Sequence, residues 1–125
     1  MTAAAHQRTL TDVATDVALG VAPPEALHRA FLGATVYCER GARPGFRALG
    51  EPGRGVVPVY SSPEQLALAR GTVEWLAMTG SELLTLLPVG YDLVLDIGGS
   101  APLRLRPTAL ARQVVIEVAR REDLA

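Results

Sequence analysis

Leu10, Val13, Ala14, Val17 and Ala18 recur at helical spacing, with Thr11, Asp12, Thr15 and Asp16 between them. That periodicity predicts a short amphipathic helix ended by Gly20. Pro23-Pro24 interrupts the chain, and Pro24 opens a second helix, where its missing N–H costs nothing. Leu27, Ala30 and Phe31 share one face of it, and Gly33 stops it. The period then changes. Ala34 to Cys38 is rich in strand-forming residues, Glu39 to Gly45 carries turn residues, and Phe46 to Leu49 predicts a second strand. Glu51-Pro-Gly-Arg-Gly55 turns the chain again into Val56-Val-Pro-Val-Tyr60. Three strands joined by short turns predict an antiparallel meander, with Pro58 at an edge or facing away from pairing because it cannot donate to a ladder.

Ser61-Ser62-Pro63-Glu64-Gln65 is the clearest local signal. Ser62 is an N-cap, Pro63 fits the first helical position, and Gln65 has the spacing of a capping box. The helix runs through Leu66, Leu68 and Ala69 to Arg70 and ends at Gly71. Val73 to Met78 follows as a buried strand. Thr79 or Ser81 then caps a helix holding Leu83, Leu84, Leu86 and Leu87, closed by Pro88 and Gly90. Tyr91 to Asp96 and Pro102 to Arg106 predict two strands around a Gly98-Gly99-Ser100 turn, with positive φ assigned to its glycines. Leu103 and Leu105 point one way and Arg104 and Arg106 the other.

Pro107-Thr108 predicts a last helix to about Arg121. On a wheel, Leu110, Ala111, Val114, Val115, Val118 and Ala119 span an arc of about 180°, and Ile116 lies outside it. That is more apolar surface than one sheet covers. The excess predicts an interface through Leu110, Val114 and Ile116, with cover from the N-terminal helices or a second copy of the chain. The order of elements is that of an α+β fold with a mixed or antiparallel sheet and flanking helices. It divides into an N-terminal helical segment, 1–33, and an α+β domain, 34–125, folded as one compact unit.

At 125 residues there is room for one hydrophobic core. The net charge of -1 carries no footprint for nucleic acid. All basic residues are arginine, and lysine and asparagine are absent, a composition typical of a GC-rich bacterial gene. Cys38 is the only cysteine, which excludes an intramolecular disulfide or a cysteine metal cluster. A lone thiol, with no signal-like start and no apolar run long enough for a bilayer, predicts a cytoplasmic protein away from the membrane.

Candidate chemistry is sparse. His6 and His28 are the only imidazoles, neither stands with a nucleophile, and no Gly-x-Ser-x-Gly elbow occurs. A non-enzyme without metal or cofactor is therefore expected. Asp92 and Asp96 share a strand face but lie about 13 Å apart, too far to share an ion. Gly98, Gly99 and Ser100 are a candidate anion nest with Arg104 across the hairpin; the same residues also serve simply to turn. Arg40, Arg43, Arg47 and Arg54 form a basic loop partly offset by Glu39 and Glu51. Trp75 belongs either to the core or, if exposed, to an interface.

Val56-Val-Pro-Val-Tyr-Ser-Ser-Pro-Glu-Gln-Leu66, Met78-Thr-Gly-Ser-Glu-Leu-Leu84, Leu87-Pro-Val-Gly-Tyr-Asp-Leu-Val-Leu-Asp96 and the turn Gly98-Gly99 occur in that order. In them the stretch from Val36 to Leu105 resembles the N-terminal domain of the SseB (enhanced serine sensitivity) family, in its short single-domain bacterial relatives. The resemblance implies an α+β domain and carries no catalytic residues over. It implies an adaptor, regulatory or secretion-associated role. Two functions are therefore expected: a protein-interaction module that binds a protein partner or its own copy, or a small-molecule or anion sensor at Gly98–Ser100.

Overall fold

The computed structural model describes residues 9–41, 45–100, 102–110 and 113–119, with the backbone path alone for 108–110 and 113–119. In chain order the elements are α1 (Leu10–Ala18), α2 (Pro24–Gly33), β1 (Thr35–Glu39), β2 (Gly55–Val59), α3 (Pro63–Arg70), β3 (Trp75–Thr79), α4 (Gly80–Leu86), β4 (Tyr91–Leu95), β5 (Leu103–Leu110) and β6 (Gln113–Ala119). The fold is α+β, with helices flanking two sheets. One is the antiparallel pair β1-β3, and the other has the order β2-β4-β5-β6. Strands β2 and β4 run parallel, while β4-β5 and β5-β6 are antiparallel.

Helix starts follow their local signals. Ser62 Oγ accepts from the Gln65 N–H at 3.1 Å, and Pro63 stands at the first helical position. Gln65 does not return the bond, so the predicted box is half formed. The Ser62→Ala variant is expected to lose about 0.5–2 kcal/mol without a change of fold. Denaturant melts with a coincident far-UV signal check this. Thr79 caps α4 through a complete box with Glu82, whose carboxylate accepts from the Thr79 N–H at 2.9 Å. Those bonds hold the Glu82 carboxyl below its ordinary range. An equivalent box between Thr9 and Asp12 opens α1.

Both N-terminal helices enter the same hydrophobic cluster as the strands. Leu27 and Phe31 of α2 are wholly buried in the cluster that also holds Val36, Val57, Leu93 and Leu105. Each such side chain is worth roughly 1.5–3 kcal/mol relative to exposure. Cys38 is buried in that cluster, and burial pushes its thiol up to about 12. It is a small apolar core residue, protonated at neutral pH.

The C-terminal segment departs from expectation. Leu103–Leu110 and Gln113–Ala119 pair antiparallel as β5 and β6, in place of a helix after Pro107. Val114, Val115, Ile116 and Val118 are β-branched, stiff at χ1 and better accommodated on a pleated surface than on a helix. An apolar arc too wide for a helix was the trace of a strand. Pro107 is paired opposite Ile116 within the hairpin.

The meander is also replaced. Residues 46–49 make only isolated bridges, Arg40 with Phe46 and Leu49 with Val56. Strand β1 pairs with β3, and β2 pairs with β4. Pro58 does sit on an edge strand, since β2 ends the four-stranded order. Its neighbours Val56 and Tyr60 bond away from β4, to Leu49 and Tyr37. The Pro58 nitrogen faces that same outer side, so the parallel ladder loses nothing. Strand β3, expected to be buried, is half-buried on one face and exposed at Trp75 and Ala77.

Candidate functional site

Gly71 ends α3 with φ +69°, and the chain returns through Thr72 and Val73 to lay β3 beside β1. The register pairs Glu39 with Trp75, Cys38 with Leu76, Tyr37 with Ala77 and Val36 with Met78. Leu76 and Met78 are half-buried, whereas Trp75 and Ala77 face outward and are exposed. Trp75 is 44% exposed, the second of the two positions the sequence left open for it. Its indole meets the Tyr37 ring edge-on, with centroids 5.2 Å apart and planes at 79°. That contact orients the indole while leaving much of its surface to solvent.

The backbone beneath it is open. Arg40 N–H donates to the Glu74 carbonyl and Gly80 N–H to the Ala34 carbonyl, which fixes the even-numbered residues of β3 as those bonded to β1. Tyr37 confirms the phase, exchanging bonds with Tyr60 on the other side of β1. Trp75 and Ala77 therefore direct their N–H and C=O groups away from β1, to an edge that no strand covers among the described residues. Thr79 is different, because Glu82 occupies its N–H.

Charges around the tryptophan are internally balanced. Glu39, directly opposite Trp75, receives Arg70 Nε at 2.6 Å and lies 3.6 Å from Arg47. Arg40 lies 3.6 Å from Glu74. The basic loop, read from the sequence as partly offset by Glu39 and Glu51, has Arg40 and Arg47 beside carboxylates, while Arg43 lies outside the described residues.

A second polar cluster lies where β2 and β4 end together. The Asp96 carboxylate accepts from the Ser61 N–H at 2.8 Å and from the Ser61 hydroxyl at 2.7 Å. The Ser61 oxygen also meets the Thr11 hydroxyl, which ties α1 to the sheet. Asp96 is buried, and desolvation pushes its carboxyl above the ordinary range against the pull of the two Ser61 bonds. It also holds the left-handed conformation, φ +55°, that had been assigned to the turn glycines. Gly98 is required for close approach to the α3 backbone instead, whereas at Gly99 the near atom is the end of a flexible side chain. A Cβ on Gly98 would lie 2.8 Å from Ala69, and one on Gly99 would lie 2.7 Å from Gln65 Oε1. That oxygen is buried without a hydrogen-bond partner.

The candidate anion contacts are not brought together. Arg104 Nε bonds Asp92 at 2.8 Å, and Arg106 reaches the same carboxylate at 3.6 Å. Arg104 is paired with Val94, and Asp92 lies on the side of Val94 away from the turn, so the guanidinium leans away from Gly98–Ser100. Leu110, Val114 and Ile116 lie on two strands of a hairpin and not on one helix face; their side chains lie outside the described residues. His28 is half-buried on α2, and His6 lies outside the described residues.

The sequence carried Trp75 as a candidate but missed Ala77, its partner in forming the open edge. The available signal was a bulky aromatic followed two residues later by the smallest chiral side chain, on a strand lacking charge and proline. No helix among the described residues is long and apolar enough to cross a membrane. The family model described as SseB protein N-terminal domain matches residues 4–112. No curated protein and no solved structure matches the chain.

Proposed function

We propose that this chain, which belongs to the SseB protein N-terminal-domain family, is a non-catalytic protein-interaction module of the bacterial cytoplasm, an adaptor or regulator that docks through the open edge of β3. The observation that carries this is the exposed Trp75 standing beside unpaired backbone groups. Exposed tryptophan is enriched at binding hot spots, and an uncovered strand edge is a template for a further strand. Other exposed apolar residues, such as Leu19 on the α1–α2 connection and Val89 before β4, stand without such backbone support. The same supports speak against chemistry, because Glu39, Asp92 and Asp96 are each engaged by arginine or serine. The anion-sensor alternative has weaker support, since Arg104 is engaged by Asp92 and the turn glycines abut α3.

A photo-reactive amino acid placed at position 75 tests the proposal in cells of the source organism. Discrete protein adducts are expected at 75 and none when the same group replaces Leu19. Equal labelling at both positions, or none at 75, overturns it.

A further inference from the structure

We infer that the strand received by β3 is β3 of a second copy of this chain, antiparallel and centred on Leu76. This rests on the proposed docking edge and specifies its occupant. Only the odd-numbered residues of β3 bond outward, and Glu82 has already taken the Thr79 N–H. Trp75 and Ala77 remain, with two donors and two acceptors. A two-fold at Leu76 places Trp75 opposite the second copy's Ala77 and Ala77 opposite the second copy's Trp75, both as hydrogen-bonded pairs. All four outward groups of each edge are then satisfied by their own counterparts. Moving the centre to Ala77 would call on the occupied Thr79 N–H. Moving it to Trp75 would call on Val73, which lies before the strand.

Side chains agree with that register. Residues directly opposite share a sheet face, so each exposed indole lies over an exposed alanine, the one neighbour small enough to admit it. On the other face Leu76 meets Leu76 of the second copy in a close pair, continuing the apolar side of the sheet. Natural edge strands are guarded by lysine, proline, bulges or inward charges. Strand β3 pairs with β1 over five consecutive residues without a bulge, and none of its residues is charged. Unlike an interface built on the C-terminal segment, this one uses residues on a strand whose outward groups the register identifies.

Sedimentation velocity from low to high micromolar, with hydrogen exchange on the same samples, tests it. The wild type is expected to dimerise, with the Trp75 and Ala77 amides gaining protection as concentration rises. Leu76 and Met78, already bonded to β1, should be protected throughout. Ala77→Pro removes an outward donor without touching the β1 ladder, and Ala77→Arg fills the space beneath the second copy's indole with its backbone intact. Each should weaken association about tenfold or more. If Ala77→Pro disturbs the fold, Ala77→Arg alone decides. A wild type that stays monomeric at high micromolar overturns the second-copy inference, as does a dimer that survives Ala77→Arg. In either case adducts at position 75 would still uphold docking of a different protein, so the two failures are distinguishable.

Discussion

Gly80→Val is expected to be strongly destabilising, although glycine here occupies an ordinary helical conformation. Gly80 is the first residue of α4 and is buried where that helix meets α2. A Cβ at this position would lie 1.9 Å from the Phe31 carbonyl oxygen and 2.6 Å from the Phe31 ring. The nearest obstacle is backbone, which cannot swing aside as a flexible side chain would. Relief requires α2 and α4 to separate, and the Gly80 N–H would then lose the Ala34 carbonyl that joins the end of β3 to the start of β1. Overpacking against backbone costs about 3 kcal/mol, the upper end of the usual range and a large part of the stability of a small domain. Gly80→Ala should follow the same direction by a smaller step. Gly33→Ala is the control, because its Cβ would meet nothing within 4 Å. It should stabilise by about 0.4–1 kcal/mol through the unfolded state. Urea midpoints of the variants measure the contrast, and a Gly80→Val midpoint near wild type would contradict the packing.

The second large effect is expected at Asp96. Asp96→Ala removes both acceptors of Ser61 and places alanine at φ +55°. The Ser61 N–H loses its partner in a half-buried site, the Ser61 hydroxyl keeps only Thr11, and the left-handed backbone loses a residue that tolerates it. Together these cost roughly 2–4 kcal/mol. Asp96→Asn behaves differently. Its amide oxygen still accepts from the Ser61 N–H, its NH2 donates to a rotated Ser61 hydroxyl, and asparagine tolerates positive φ. The pH dependence separates the pair further. Burial raises the Asp96 pKa in the folded protein above its unfolded value. Its stabilising contribution is therefore fully present below the unfolded pKa and is lost as pH rises through the folded pKa. Asp96→Asn cannot ionise and should gain on wild type as pH rises from acid toward neutrality. Melts of both proteins across that window check the sign. A wild type that instead gains on Asp96→Asn with rising pH would mean that the Ser61 bonds outweigh desolvation.

Local chemistry made the helix starts legible in the sequence. Ser62-Pro63 and Pro24 each act within one turn of chain through a side-chain bond or a fixed φ, so no distant residue is needed to read them, and the choice of Thr79 over Ser81 at α4 came from its box with Glu82 in the structure. The apolar run Leu93-Val94-Leu95 and the edge position of Pro58 were readable for the same reason: burial pattern and a missing donor are properties of the segment itself. Family motifs between Val36 and Leu105 carried the α+β class, and the family match extends over residues 4–112. Partners of strands were not legible. Nothing within Thr35–Glu39 states that it joins residues 75–79 across the chain in place of a neighbouring hairpin. For Gln113–Ala119 the tertiary structure decided between helix and strand, because a continuous apolar run fits either period until a partner strand fixes it. The candidate site divides in the same way. Trp75 was visible as a residue, but its exposure and the outward direction of its backbone follow from the phase of the β1-β3 ladder, which one strand alone cannot set. Gly98, Gly99 and Asp96 were visible as a turn, but only the approach of α3 and the pairing of Ser61 with Asp96 determine which residue takes the left-handed conformation and which must lack a Cβ. Hydrogen bonds within a turn of chain are written in consecutive residues, whereas strand pairing and burial belong to pairs of segments that meet only on folding.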